Sequence, residues 1–170
     1  WDNHPDPGLS QKGILQSNEL LKNKDLIDLG NYSFISSPKL RAIETSQPLA
    51  KKFKKDVKID KSFIEIPSND IDLNQRQHWI KEIMQTKKKD LPDYVKLWSK
   101  NIYDRTISFK ENSVIFTHFM VINALISEIT NSETIIYFHP GYTSIIKIQI
   151  DNKKIKSFLL EDGEKTHINL

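Results

Sequence analysis

An α/β sandwich, with a mainly parallel sheet and an antiparallel edge, is the fold class this sequence predicts. Three observations carry it. The short apolar runs "YSFISS" and "SVIFTH", each bounded by polar residues, have the length and pattern of buried strands. Each is followed at once by a helical pattern, and strand–helix alternation implies parallel strands joined by helical crossovers. The C-terminal part instead holds "TIIYF", "TSIIKIQI" and "IKSFLL". The last two meet at Asp151-Asn152 in the manner of a hairpin, which supplies the antiparallel edge.

Taken in order, Ser10 reads as the N-cap of a helix over "QKGILQSNELLKN", with Ile14, Leu15 and Leu21 on one face and Gly30 marking the exit. After the first strand, Ser37 and Pro38 predict a second helix start, a capping hydroxyl followed by proline at the first helical position. Pro48 falls inside that helical pattern and predicts a kink or an early stop. The alternation in "VKIDKSFIEI" predicts an edge strand. Trp79, Ile80, Ile83 and Met84 form one amphipathic stripe, and Val95, Trp98 and Ile102 another. "FMVINALISEI", directly after the second strand, is a strongly apolar helix.

The 170 residues fit one domain, residues 1–170, large enough for a core. The net charge of +3 is spread over interleaved lysines and acids, including the surface run Lys87-Lys88-Lys89. That is not the concentrated basic footprint of a nucleic-acid binder. Without cysteine there is no disulfide scaffold, thiolate zinc site or thiol nucleophile, which suits a reducing cytoplasm. No apolar run reaches the length of a membrane span, and "WDNHPDPGLS" lacks the pattern of a signal peptide.

Chemistry concentrates at two strand-to-helix junctions, "FISSPKLRA" and "VIFTHFMV". At the carboxyl end of a parallel sheet, such junctions form ligand crevices, and helix N-termini there favour anions. Arg41 is one of three arginines in a chain with 22 lysines. Its fork can bind two phosphate oxygens at once, and a bound anion would offset the unfavourable placing of a cation in a first helical turn. An ion pair with Glu44 explains Arg41 equally well. His118 can donate a hydrogen bond to an oxyanion, or be a core histidine with satisfied partners.

The order of motifs resembles the histidine phosphatase superfamily. "DPGLSQKGILQ" is similar to its D-x-x-L-T/S-x-x-G-x-x-Q segment and "SSPKLRAIET" to its S-S-P-x-x-R-A-x-x-T motif. "SFIEI" falls at the place of its acidic residue, "VIFTHFMVINALI" resembles its second-histidine segment, and "HPGYTSIIKI" its late strand. The resemblance implies a three-layer α/β/α sandwich and a metal-free, cofactor-free phosphomonoesterase working through a phosphohistidine. It implies catalytic roles for Arg41, His118 and Glu65, with phosphate held by Arg41, His118 and Phe119. Glu65 would protonate the leaving oxygen and then activate water. Asp70 and Asp72 are rivals for that role, and an ordinary exposed carboxylate is the other reading of Glu65.

The family's R-H-G motif, with the nucleophilic histidine, has no counterpart here. His4 precedes Pro5 in a loop, and His78, His139 and His167 read as solvated. Together with the absence of an initiator Met, this predicts a fragment lacking the first central strand. The missing strand is expected between those ending at Ser37 and His118, leaving a gap or two unpaired inner edges. The fragment is expected to be inactive, the intact protein an enzyme acting on a small phosphorylated metabolite or a phosphoprotein. A non-catalytic phosphate-binding or interaction module is the alternative; neither nucleic acid nor membrane is an expected partner.

Overall fold

The structure, a computed structural model, describes residues 6–68 and 71–161, and these fall into two compact units. The first comprises residues up to Ile64 together with Phe109–His118. It opens with α1 (Gln11–Glu19), whose start follows from Ser10: the hydroxyl accepts from the Gly13 amide at 3.1 Å. Then come β1 (Ser33–Ser36), α2 (Leu40–Phe53), β2 (Val57–Ile59) and β3 (Ser113–Phe116). The three strands are parallel in the order β2-β1-β3, so the run at 57–59 is an edge strand, as its alternation predicts.

One sequence expectation fails here. β1 and β3 are direct neighbours, paired from Ser33↔Ser113 to Ser36↔Phe116. The pairing continues past both ends, with Ser33 N donating to Asn112 O and Ser37 N to Phe116 O, both at 2.9 Å. No gap separates the strands ending at Ser37 and His118. Phe34, 1% exposed, anchors this sheet, its ring 5.9 Å from that of Phe116 and 6.3 Å from that of Phe53.

Pro48 neither ends nor shortens α2, which runs on to Phe53. Proline removes only the bond to the Glu44 carbonyl. The next turn is held by Leu49 and Ala50, both buried, until Lys54 turns left-handed at φ 51° and its amide reaches the Ala50 and Lys51 carbonyls. The start also moves: the cap is Lys39, two residues beyond the expected Ser37, whose hydroxyl has another partner.

The second unit comprises Glu65–Ser108 and the residues from Phe119 onward. It holds α3 (Leu73–Gln85), α4 (Asp93–Ile107), α5 (Phe119–Thr130), β4 (Ile145–Asp151) and β5 (Lys154–Glu161). Helices α4 and α5 pack together, and Val95, Ile102, Ala124 and Ile126 are fully buried. Strands β4 and β5 are antiparallel and form a two-stranded sheet of their own, turning at Asn152 and Lys153 with φ of 49° and 59°. Two consecutive left-handed residues are what a tight hairpin turn requires.

The expected strand in "TIIYF" is absent: only an isolated bridge, Thr134 to Lys87, forms. The reason lies in α5. Asn123, fully buried, accepts from the Tyr137 and Phe138 amides at 2.8 and 3.0 Å, taking the donors a ladder would use. Its own amide nitrogen donates to Phe119 O at 3.2 Å. Asn123→Ala is therefore expected to cost about 2 kcal/mol, the penalty for stranding partly buried donors, read by urea unfolding. A loss within error would show that water replaces the side chain.

Candidate active site

Both junctions singled out in the sequence lie in the first unit, at the carboxyl ends of adjacent parallel strands. From Ser36, the last residue of β1, the chain passes through Ser37, Pro38 and Lys39 into α2, where Arg41 is the second residue. From Phe116, opposite Ser36, it passes through Thr117 to His118. Thr117 is fixed by donation to Phe63 O at 2.9 Å. The two junctions touch: His118 Nε2 lies 2.6 Å from Ser37 Oγ, with both side chains buried.

His118 is 5% exposed, and its pKa is pushed from 6.5 down to about 3. Burial is the main cause, followed by the positive charge of Arg41 and then that of Lys39. Two cations thus act on one buried imidazole, which is neutral at physiological pH. An anion bound among them would screen both charges and raise the pKa, so anion binding and proton uptake by His118 are coupled.

The α2 N-terminus differs from expectation. Its amides are largely in use within the chain: Lys39 N donates to Ser37 Oγ at 3.3 Å, and Leu40 N to the Asp6 carboxylate at 3.1 and 3.2 Å. Asp6 places a negative charge where the helix dipole favours one. It supplies internally part of the offset that the sequence argument assigned to a bound anion. The Glu44 carboxylate accepts from the Leu9 amide, and a Cβ on Gly8 would meet it at 2.7 Å. Residues 6–9 are thereby fastened to α2 at Leu40 and at Glu44. Asp6, Ser37 and Lys39 are the site residues that composition and periodicity did not single out. Their signal was in the quoted motifs, where Asp6 opens "DPGLSQKGILQ" and Ser37 and Lys39 lie in "SSPKLRAIET".

The other candidates fall in the second unit. Phe119 is the first residue of α5 and follows His118 in the chain; its ring lies 5.9 Å from that of His139. Glu65 is half-buried, and its Oε1 accepts from the Ile66 amide at 3.1 Å. Asp72 occupies the N-cap position of α3 without a capping bond, and Asp70 lies outside the described residues. His78 is exposed on α3, 3.6 Å from Glu82. His4 and His167 lie outside the described residues.

Residues 1–162 match the model of the histidine phosphatase superfamily, branch 1. No curated protein matches the chain. Solved structures do. A phosphoserine phosphatase from Entamoeba histolytica, in complex with 3-phosphoglyceric acid, is 22% identical, with a TM-score of 0.65 over 94% of this chain and 87% of that one. The alpha-ribazole phosphatase of Shigella flexneri gives 18% and 0.70, over 98% and 91%. A mycobacterial glucosyl-3-phosphoglycerate phosphatase in complex with inorganic phosphate gives 15% and 0.67, over 92% and 87%. At these identities the likeness is one of fold.

Proposed function

Since this chain belongs to the histidine phosphatase superfamily, we propose that it carries the phosphate-gripping half of a phosphomonoester phosphatase. The observation that supports this most is the contact of the two junctions. Ser37 and His118 meet at 2.6 Å, and the charge of Arg41 reaches the same imidazole. A planar guanidinium and a hydrogen-bonding imidazole at one strand end suit a tetrahedral dianion whose charge spreads over three equatorial oxygens.

In the proposed reaction, a histidine attacks phosphorus, the P–O bond to the leaving group breaks, and water then cleaves the phosphohistidine to release inorganic phosphate. Arg41, His118 and the Phe119 amide hold the phosphoryl oxygens. Glu65 gives a proton to the leaving oxygen and takes one from the attacking water. No residue of the 170 matches the nucleophile's R-H-G motif, so we place that histidine outside this chain. The proposed substrate is a small phosphorylated metabolite. All three structures named above are phosphatases, and two have 3-phosphoglycerate or a glucosyl derivative of it in their names. No helix among the described residues is long and apolar enough to cross a membrane. With no cysteine to protect from oxidation or to pair, we place the reaction in the cytoplasm and write it without a metal.

The test is para-nitrophenyl phosphate hydrolysis by the 170-residue chain and by the intact protein. Turnover is expected from the intact protein alone. Equal turnover by the 170 residues would refute the placement of the nucleophile. Phosphate binding without turnover in either would favour a non-catalytic phosphate-binding module.

A further inference from the structure

We infer that Asp6 is a positioning residue for Arg41: by capping the first turn of α2 from a distant loop, it holds the guanidinium in place for an anion. The start of α2 cannot cap itself. Its N-cap position is Lys39, and an ammonium donates hydrogen bonds but accepts none, so that side chain satisfies no amide of the first turn. The acceptor comes instead from 34 residues away. The Asp6 carboxylate takes the Leu40 amide with its two oxygens at 3.1 and 3.2 Å, the part an N-cap aspartate usually plays. Pro7 restricts the backbone of Asp6 to extended conformations, so the carboxylate is delivered on a stiffened arm.

The cap matters to Arg41 because of where it sits. Arg41 is the second residue of α2, directly after Leu40. From Ala42 and Ile43 onward the helix holds its own amides, both donating to Lys39 O at 2.9 and 3.2 Å. Ahead of them, the Leu40 amide is held by Asp6. A first turn whose amides lose their acceptors frays, and a side chain carried on a fraying turn keeps no fixed direction. The arm is tied a second time, one turn along α2, where the Glu44 carboxylate accepts from the Leu9 amide. In the chain, Arg41 falls between the two attachment points.

The same contact could act with the opposite sign. A carboxylate at a helix N-terminus is an anion already in place, and would compete with a bound one. Positioning predicts that losing Asp6 weakens the grip on an anion; competition predicts that it tightens.

On the reading proposed above the anion is a phosphate, so inorganic phosphate is the probe. In the 170-residue chain the Leu40 amide is expected to be protected from hydrogen exchange, and the Arg41 Nε–H to give a dispersed NMR signal. Exchange of Leu40 at the rate of a free peptide overturns the inference without any variant. Asp6→Ala is expected to move the Arg41 signal to the position of free arginine and to weaken phosphate binding about fivefold, the scale of one lost helix cap. Asp6→Asn, whose amide oxygen caps as well as a carboxylate, is expected to retain the wild-type signal and Kd. In an Arg41→Gln background, Asp6→Ala should change the phosphate Kd no further. Equal losses in both backgrounds would show that Asp6 serves only the fold, and would overturn the inference. So would tighter phosphate binding by Asp6→Ala, the mark of competition, or an Arg41 signal that Asp6→Ala leaves unmoved. Phosphate that binds none of these chains, with the Arg41 signal still dependent on Asp6, would count against the phosphatase reading and leave the positioning standing.

Discussion

Between pH 6.5 and pH 3 the folded protein is expected to lose about 5 kcal/mol of stability through His118 alone. Unfolded, the imidazole titrates near 6.5; folded, it is held down to about 3, first by burial and then by Arg41 and Lys39. Above pH 6.5 both states are neutral at this site, and its contribution to stability is fully present. As pH falls below 6.5 the unfolded chain takes up a proton that the native chain refuses, so stability falls until the folded pKa is reached. A gap of about 3.5 pH units at about 1.4 kcal/mol each sets the total, and about 2 kcal/mol of it should already be gone at pH 5. Urea unfolding at pH 7 and pH 5 reads this, with His118→Gln as the reference that lacks the titrating group. The slope in wild type should exceed that of the variant. Arg41→Gln, which removes one of the two cations, should raise the folded pKa, so that the loss stops at a higher pH and its total is smaller while the fall between pH 7 and pH 5 is nearly unchanged. Equal slopes in wild type and His118→Gln would mean that the imidazole is protonated or solvated in the native state.

The second large effect is on catalysis by the intact protein. On the proposed reading, His118→Ala removes a preorganised donor to the transferring phosphoryl group, and such losses reduce kcat by about 10²–10³. Arg41→Lys keeps the charge and removes only the fork, and is expected to lower kcat/KM at least about tenfold, or about 1.4 kcal/mol. The comparison matters more than either number. If Arg41 merely neutralised charge, lysine would suffice and the rate would hold. If His118 were only a core histidine, its replacement would lower stability and leave kcat of the folded fraction unchanged.

The sequence was legible where one residue or a short run fixes local geometry. Ser10 caps α1 where expected, β1 and β3 fall within their apolar runs, and β4 and β5 turn one residue past the expected Asp151-Asn152, at Asn152 and Lys153. Readings failed where a distant partner decides. The Ser37 hydroxyl has the sequence setting of a helix cap, but β3 brings His118 to it from 81 residues away. "TIIYF" has the composition of a strand, and its amides are captured by Asn123. Pro48 predicts a kink or an early stop, and the helix does not stop there, because burial of Leu49 and Ala50 outweighs one missing bond. The expected gap between β1 and β3 rested on the order of strands, which local pattern does not encode.

The candidate site divides the same way. Arg41 stood out as a rare arginine, and His118 as a histidine at a strand end. The pairing of their junctions depended on strand order, and Asp6 on the α2 amide depended on a loop folding back. The rival explanation of Arg41, an ion pair with Glu44, stands beside it, since a carboxylate that accepts from the Leu9 amide keeps lone pairs for a guanidinium.

The claim on which the rest depends is that Arg41 and His118 hold a single tetrahedral anion. Titrating the 170-residue chain with inorganic phosphate, while following the Arg41 Nε–H and the His118 ring signals together, tests it most directly. Both signals should move along one saturation curve and return the same Kd, and Arg41→Lys should weaken the His118 response as well. Two unrelated curves, or a response from only one of the two side chains, would contradict it.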